Sequence, residues 1–346
     1  MDIMTVAGPV PVEQLGVILP HEHILMAFDW PGLWPDVSHR PDLVWQKVSL
    51  ENLGELRRNY CAIRDNAVLD SVEEQAWEVA RFKEFGGGAI MEMSTLGLYG
   101  NPTGLRAISE KTGVPIIAGT GYYLDQTFPQ AVKDLTIEQM VAKMMADITQ
   151  GFDGTDIRAG VIGEVGISGP MTPAEEKSLR AAARVQHETG LAINIHVGFS
   201  LDLSRRAIEI LKEEGANLKK VALAHCDGNP VQVNRELVEM GVYVECDCFG
   251  NEFYVDNGAY DGDTPYYFGS DGDRIRAMKA LIDAGLADKL FFSQDVCSKM
   301  QTVQYGGYGY AHLLENILPM LVHIGVLRET LTKIMTENPK RFLMGE

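Results

Sequence analysis

The sequence predicts a (β/α)8 barrel, because short apolar runs alternate with longer helical patterns along almost the whole chain. Eight such repeats with short connections are typical of a parallel sheet, and eight strands close into a barrel. No G-x-G-x-x-G sequence opens a helix, so a doubly wound open sheet is the weaker alternative. The 346 residues contain no low-complexity tract or Gly/Ser linker, and we expect a single domain, residues 1–346.

The predicted elements follow one another in a regular order. Strands are predicted at 17–19, 88–93, 114–119, 160–165, 191–195, 220–224, 242–246 and 290–293. Helices are predicted at 72–85, 104–112, 136–149, 173–189, 203–214, 230–239, 274–284 and 310–324, with a last helix at 330–343.

Capping residues support several of these helices. Thr172 is a good N-cap, because Pro173 follows at the first helical position and Glu175 adds negative charge to the first turn. Glycine follows four helices where a left-handed residue is preferred, at positions 190, 215, 241 and 285.

Two long connections decorate the predicted barrel. Residues 30–70 lengthen the first βα connection, and we expect an additional helix around 43–69. Residues 250–273 form a long loop after the seventh strand. Loops at this end of a barrel commonly determine specificity.

Composition excludes several classes of partner. The net charge of −18 argues against binding to nucleic acid or to anionic membrane surfaces. Five cysteines without a disulfide pattern favour a reducing compartment, and we expect a cytoplasmic protein. The first residues lack the features of a signal peptide, and no apolar run is long enough for a transmembrane helix.

Histidines and acids stand at the predicted strand ends, where barrel enzymes carry their catalytic residues. Strand one is followed by two histidines at i and i+2, which point to the same face of a strand. Two further histidines end the neighbouring fifth and sixth strands. The six residues are His21, His23, Glu164, His196, His225 and Asp295.

This pattern predicts a metal centre. His21 and His23 are placed to bind one cation, and His196 and His225 a second. Glu164 lies in an apolar strand, where a carboxylate is costly unless positive charge pairs with it. Two divalent cations would supply that charge. Imidazole and carboxylate ligands favour zinc, manganese, iron or cobalt over magnesium or calcium.

Structural alternatives exist for each residue taken alone. A single strand-end histidine is commonly a core or capping residue, and Glu164 has the alternative of pairing with a Lys or Arg. Cys246 and Cys248 are either a soft metal pair or small buried hydrophobic residues. His312 is expected near a helix start, with a substrate role as the alternative.

Together with further motifs over nearly the whole chain, these residues resemble the phosphotriesterase-related family of the amidohydrolase superfamily. The resemblance implies a TIM barrel with a binuclear centre, usually of zinc, and a homodimer. The further motifs are Gly86-Gly87-Gly88-Ala89, Gly119-Thr120-Gly121-Tyr122-Tyr123, Asp153-Gly154-Thr155, Gly163-Glu164-Val165-Gly166, Tyr305-Gly306-Gly307-Tyr308-Gly309-Tyr310 and Glu337-Asn338-Pro339.

The resemblance also implies roles for individual residues. The buried metal would be bound by the two histidines of strand one and by Asp295, and the exposed metal by the other two histidines. Glu164 would bridge both metals, where the best-known phosphotriesterases have a carboxylated lysine. Tyr123 stands where lactonases of the family have a tyrosine beside the metals, and it would orient the water or the substrate.

Metal chemistry predicts a hydrolase. A bound dication lowers the pKa of water to about 7, so a metal-bridging hydroxide would attack a carbonyl or phosphoryl centre. Asp295 would carry the proton to the leaving group. The reaction that we expect first is hydrolysis of a carboxylic ester or lactone. Hydrolysis of N-acyl amides and hydrolysis of organophosphate triesters are the alternatives. A non-catalytic metal-binding protein is the alternative from another class.

The loop at 251–273 restricts the substrate. It contains six acids, several aromatic residues and no Lys or Arg, which favours a small neutral or weakly polar substrate over a phosphorylated one. Lys299 and Arg274 are candidates to pair with a substrate carboxylate, with surface ion pairs as the expected alternative.

Overall fold

Eight parallel strands form the central sheet of the protein. The computed structural model describes residues 1–28, 42–197, 200–255 and 266–346. Neighbours in the sheet are also neighbours in the chain. The segments that follow the first and eighth strands meet where His23 N donates to Val296 O at 3.3 Å. The predicted (β/α)8 barrel is confirmed. Its first to eighth strands are Val17–Glu22, Gly87–Glu92, Ile116–Thr120, Val161–Ile167, Ile193–Val197, Val221–Leu223, Tyr243–Cys246 and Leu290–Phe292.

Helices connect the barrel strands. The α-helices are Leu53–Arg58, Val72–Glu84, Pro102–Thr112, Gln130–Lys133, Ile137–Thr149, Pro173–Thr189, Leu201–Glu213, Val231–Glu239, Asp271–Asp283, Leu318–His323, Arg328–Thr332 and Asn338–Met344. Two π-helical turns, Leu313–Ile317 and Lys333–Glu337, each continue directly into the next α-helix. Short 3₁₀ turns occupy Val12–Leu15, Arg64–Ala67, Asp125–Thr127, Phe152–Gly154, Leu218–Lys220, Ala287–Lys289, Lys299–Gln301 and Val303–Tyr305.

Alternating side chains of the strands divide the core into two layers. Ile18 and Phe291 belong to an inner cluster at one end of the barrel. Leu19 and Phe292, one residue further on, belong to the layer between the strands and the helices. The barrel is therefore a packed core, and its opposite end is free for chemistry.

An N-terminal hairpin closes the lower end of the barrel, and sequence reasoning missed it. Asp2–Thr5 pairs antiparallel with Gly8–Pro11. Ile3 from this hairpin packs in the same cluster as Phe342 from the last helix. Both ends of the chain therefore contribute to the barrel floor.

The predicted helix caps are present. Thr172 accepts a hydrogen bond from Glu175 N, and the Glu175 side chain accepts one from Thr172 N at 2.9 Å, which completes a capping box. Gly190 ends this helix in the left-handed conformation, with φ of 69°. The other three predicted glycines also have positive φ.

The helix predicted around 43–69 is present, but it is much shorter than that range. This region contains the six-residue helix Leu53–Arg58, which ends because Asn59 adopts an extended conformation. The two-residue strand Val68–Leu69 then pairs with Met26–Ala27. The rest of the 30–70 decoration, residues 30–41, lies outside the described residues.

The long loop after the seventh strand contains a second small hairpin, in which Tyr254–Val255 pairs with Tyr266–Tyr267. Residues 256–265 of this loop lie outside the described part of the chain. Among the described residues, no helix is long and apolar enough to cross a membrane.

Candidate metal centre

The structure brings the six predicted ligands together at the upper end of the barrel. The Glu164 carboxylate lies between three imidazoles, with Oε2 3.5 Å from His21 Nε2 and 3.1 Å from His196 Nδ1. Its Oε1 lies 3.3 Å from His23 Nε2. Asp295 Oδ1 lies 3.3 Å from the same His23 nitrogen.

His225 completes the cluster from the sixth strand. Its Nε2 lies 2.8 Å from His196 Nδ1. Ligand atoms of His21, His23 and Asp295 lie within 4.8 Å of one another, and so do those of His21, Glu164 and His225. These two groups of possible metal ligands overlap at His21 and lie together at the upper end of the barrel.

Outer partners fix the orientation of three imidazoles. His21 Nδ1 lies 3.1 Å from Glu245 Oε2, and His225 Nδ1 lies 3.0 Å from Asp247 Oδ1. The Nδ1 atom of the third, His23, lies 3.0 Å from the Ser94 hydroxyl. Metal-binding histidines typically have such a partner, because it fixes the ring and leaves the other nitrogen free to coordinate.

One nitrogen of the cluster shows that these residues fit a metal ion. His21 Nε2 is fully buried and has no hydrogen-bond partner among the described residues. A buried polar atom without a partner is costly, and a cation between the donors would satisfy it. The imidazole and carboxylate donors suit a transition metal such as zinc.

The electrostatics of the site favour positive charge. Burial alone would lower the pKa of His21, but Glu164 and Glu245 raise it to about 9. Burial acts the same way on His225, and Asp247 raises its pKa to about 10. Burial would raise the pKa of Glu164, yet His21 and His196 hold it well below its ordinary value. The carboxylates thus attract protons or dications.

Irregular backbone directs the ligands into the barrel. The pairing register shifts between Leu19 and Glu22 and again between Ile162 and Val165, next to the ligands on those strands. Such irregularities re-aim side chains. His225 and Asp295 both have positive φ, 59° and 49°, which is uncommon for residues other than glycine and is concentrated at functional sites.

The cluster is open on one side. The side chain of His196 is 22% exposed and that of Asp295 is 16% exposed, whereas the other four ligands are buried almost completely. The buried Tyr123 borders the open side, with its hydroxyl 3.5 Å from His196 Nδ1 and the ring centroids 4.9 Å apart. A substrate would approach across this side.

Two predicted surface cations are buried instead, so the expectation of surface ion pairs is wrong. Lys299 pairs with Asp65 at 2.9 Å, in a contact between the first decoration and the loop after strand eight. Arg274 pairs with Asp271 and donates to the carbonyl oxygens of Asn251 and Phe268. Both cations join elements of the fold.

His312 belongs to the support of the loop. Its Nε2 lies 2.6 Å from Asp271 Oδ2, and its ring stacks on Tyr308 with centroids 4.0 Å apart. Asp256, Asp261, Asp263 and Tyr260 lie outside the described residues, so the role of the loop in restricting the substrate stays a prediction.

The cysteines pack as buried side chains. All five are free in the part of the chain that the structure describes. Cys246 lies in the layer between strands and helices, as expected for a small hydrophobic residue. Cys248 Sγ donates to Asp247 Oδ1 at 3.4 Å, which places it behind His225.

Sequence reasoning missed the residues around the ligands. Glu245 and Asp247 lie on or just after the seventh strand, which carries none of the predicted ligands. Glu22, between the two histidines of strand one, is fully buried. Burial raises its pKa to about 7, although hydrogen bonds from Ser293, Val296 and Gln294 act to lower it. The sequence signal that could have revealed these residues is an acidic side chain within or next to an apolar strand.

Comparison with known proteins identifies the family. The phosphotriesterase family matches residues 1–343 of this chain. The chain belongs to the phosphotriesterase family. Similar proteins include an N-acetyltaurine hydrolase and a PTE-like lactonase, and this phosphotriesterase-family protein is a hydrolase as well.

Individual relatives are similar over the full length. An N-acetyltaurine hydrolase from Xenopus tropicalis is 36% identical over 346 residues, covering 99% of this chain and 97% of that protein. A resiniferatoxin-binding protein from Rhodobacter sphaeroides has a crystal structure with TM-score 0.91 and 35% identity, covering 99% and 94% of the two chains. A mutant PTE-like lactonase from Deinococcus radiodurans aligns with TM-score 0.76 and 25% identity over 99% of each chain.

Proposed function

We propose that this phosphotriesterase-family protein is a binuclear metal hydrolase that cleaves the amide bond of small N-acyl compounds. The unsatisfied, buried Nε2 of His21 within a cluster of imidazoles and carboxylates carries the metal part of the proposal. Full-length similarity to an N-acetyltaurine hydrolase supports the bond class.

The six residues divide between two metals. His21, His23 and Asp295 would bind the buried one, and His196 and His225 the exposed one. Glu164 would contribute one carboxylate oxygen to each. When bound, two dications lower the pKa of a water molecule to about 7 or below and polarise a substrate carbonyl.

Asp295 is placed to carry a proton. Its carboxylate lies at the open side of the cluster, and the left-handed backbone at this residue turns it towards the neighbouring imidazoles. The carboxylate would accept the proton of the attacking water and deliver it to the departing nitrogen or oxygen. An amine leaving group depends on this delivery more than an alkoxide does.

Tyr123 would orient the acyl group. Its ring packs against the His196 imidazole in a T-shaped arrangement, and its hydroxyl reaches the open side of the cluster. A phenolic hydroxyl at this point can donate to a substrate oxygen. Tyr123→Phe should therefore weaken the binding or the orientation of the substrate, while the metal content of the protein stays the same.

The surroundings favour a substrate whose acyl part is neutral and apolar. Tyr123 and Cys297 belong to an apolar cluster that also includes Phe253 and Met300. Two buried cations, Arg274 and Lys299, are already paired with carboxylates. An apolar acyl group therefore fits better than a phosphorylated one.

Esters and lactones are the second candidate class. The same water and the same proton carrier serve their hydrolysis, and the alignment with a PTE-like lactonase favours them. Organophosphate triesters are a candidate side substrate of the same centre. A non-catalytic metal-binding protein is the remaining alternative.

A substrate screen tests the proposal. N-acyl amino acids, N-acetyltaurine, lactones, aryl esters and organophosphate triesters are assayed with protein loaded with zinc, manganese or cobalt. Turnover of an N-acyl compound above all others is expected. Preference for a lactone would favour the second class, and a protein without bound metal after growth in zinc would contradict the binuclear centre.

Asp295→Asn tests the proton carrier in the same assay. Turnover should fall by about 10²–10⁴-fold in protein whose metal content is retained, because general acid–base catalysis is lost. Asp288→Asn is the matched control, since Asp288 is exposed and pairs only with Lys333 among the described residues. Unchanged turnover in Asp295→Asn would show that another group moves the proton.

A further inference from the structure

Glu22 accepts an unusual number of hydrogen bonds from one short segment. Its Oε1 accepts from Ser293 Oγ at 2.7 Å, from Gln294 N at 2.8 Å and from Gln294 Nε2 at 2.9 Å. Its Oε2 accepts from Val296 N at 2.9 Å. All four donors lie in residues 293–296, directly after the eighth barrel strand.

These hydrogen bonds lie on both sides of Asp295. The backbone N–H groups immediately before and after this residue donate to the two oxygens of one carboxylate. The φ of 49° at Asp295 is uncommon for a residue other than glycine and persists only where the surroundings fix it. Gln301 Nε2 adds a third restraint, because it donates to Asp295 O at 2.9 Å.

We propose that Glu22 is a positioning residue for Asp295. It holds the 293–296 turn in the one conformation that brings the Asp295 carboxylate into the ligand cluster. Glu22 points away from the cluster itself, since its described partners are all in this turn. The middle residue of His21-Glu22-His23 thus connects the first barrel strand with the candidate ligand that follows the eighth.

Only a carboxylate can make this set of contacts. It offers two acceptor oxygens and no donor, whereas the amide of glutamine offers one oxygen and an NH₂ group. In the Glu22→Gln variant, the new NH₂ group would face either the donors of Oε1 or the N–H of Val296. Negative charge also strengthens each of the four hydrogen bonds.

The experiment uses Glu22→Gln in the full chain, alone and together with Asp295→Asn. Hydrogen exchange of the peptide covering 293–297 should become faster in Glu22→Gln. Affinity for one metal of the pair, measured by chelator competition, should fall by about 10–100-fold, the usual effect of losing an outer partner of a ligand. In the Asp295→Asn background the same change should have no further effect on metal affinity.

Activity gives a further readout that rests on the proposed function. Glu22→Gln should lower kcat by at least about tenfold with little change in KM, because a misplaced proton carrier slows chemistry more than binding. The exchange and metal measurements need no substrate. A failure to find any substrate would therefore count against the proposed function and leave the test of Glu22 intact.

Glu175→Gln is the matched control. Glu175 is also a buried glutamate with four hydrogen-bond donors, the N–H groups of Asp125, Ser168 and Thr172 and the Ser168 hydroxyl. Its substitution should reduce stability and leave exchange at 293–297 and metal affinity unchanged. Ser293→Ala, which removes one donor, replaces Glu22→Gln if that variant does not fold and should shift the same readouts by a smaller factor.

Two results would overturn the proposal. One is unchanged exchange at 293–297 in folded Glu22→Gln. The other is an equal loss of metal affinity with and without Asp295→Asn, which would show that Glu22 acts through a different ligand.

Discussion

The carboxylate of Glu164 lies close to three imidazoles. Its two oxygens lie within 3.5 Å of nitrogens of His21, His23 and His196. A genetically encoded carboxylate at this position needs no chemical modification to become a ligand. The assembly of the centre should therefore depend on metal and pH alone.

Metal loading without bicarbonate tests this point. Metal-free protein should recover two metals and full activity equally fast in degassed buffer and in buffer with bicarbonate. The control is Glu164→Lys, which can provide a bridging carboxylate only after reaction with carbon dioxide. Slower recovery of the unsubstituted protein in degassed buffer would contradict the assignment of Glu164 as the bridge.

The grouping of the six candidate ligands could be predicted from the sequence, but their supporting residues could not. Histidines and acids at predicted strand ends are visible in the chain, because strand ends are marked by the change from apolar to polar residues. Asp247 supports His225 from a different strand, and that contact depends on which strands are neighbours. The register shifts beside Leu19 and Ile162 also leave no trace in the alternation of residues.

At the scale of single elements, replacing glycine by alanine should destabilise the protein to different extents at two positions, Gly190 and Gly163. Gly190 ends the helix Pro173–Thr189, and a Cβ there would meet none of the described residues within 4 Å. Gly163 lies on the fourth strand, where a Cβ would collide with the carbonyl oxygen of Asn194. The first glycine is required for backbone conformation only, and the second also for space.

Urea unfolding of two variants measures this difference. Gly190→Ala should lower the free energy of unfolding by about 1 kcal/mol, the cost of a left-handed residue with a side chain. Gly163→Ala should cost more and also reduce metal content, since Glu164 follows directly. Equal losses in both variants would contradict the close approach of the fourth and fifth strands.

Arg274 anchors the long loop after the seventh strand to the helix that follows it. The guanidinium is buried and donates to Asp271 and to carbonyl oxygens at both ends of the small hairpin. Arg274→Met should lower the free energy of unfolding in urea by about 3–5 kcal/mol, because Asp271 loses a buried partner. Arg276→Met, at a 71% exposed side chain, should cost at most about 1 kcal/mol.

Regular elements were easier to predict than the decorations. Helical periodicity and caps fixed the helix Pro173–Thr189 at both ends. The helix predicted around 43–69 is limited to Leu53–Arg58. Leu56 on this helix and Ile63 beyond it are buried in one apolar cluster, so burial at these positions does not require a longer helix. The N-terminal hairpin was missed because its short strands have little apolar alternation.

At the scale of the whole molecule, Asp65 connects the first decoration to the barrel. Burial alone would raise its pKa, but hydrogen bonds from Lys299 and Lys47 hold it below the ordinary value. A lowered folded pKa stabilises the native state above about pH 3.9, the pKa of an aspartate in an unfolded chain. This contribution is lost as the pH falls through the lower, folded pKa.

Acid unfolding of Asp65→Asn tests this connection. The variant should be less stable than the parent at pH 7, and the difference should shrink as the pH falls below about 3.9. Unfolding in urea at several pH values measures it. A difference that stays constant down to about pH 2, well below the unfolded pKa, would show that the loss is unrelated to the charge of Asp65.

The homodimer and the cytoplasmic location stay predictions. With a net charge of −18, self-association should weaken at low ionic strength, where repulsion between copies is least screened. Sedimentation at two salt concentrations measures the oligomeric state directly.

The floor of the barrel has a consequence for how the protein is made. Ile3 and Phe342 share one cluster, and Lys340 Nζ donates to Glu13 O at 3.4 Å. During synthesis the hairpin Asp2–Thr5/Gly8–Pro11 emerges from the ribosome before the helix Asn338–Met344, because it precedes that helix in the chain. The lower core of the barrel can therefore be completed only after this helix has been synthesised.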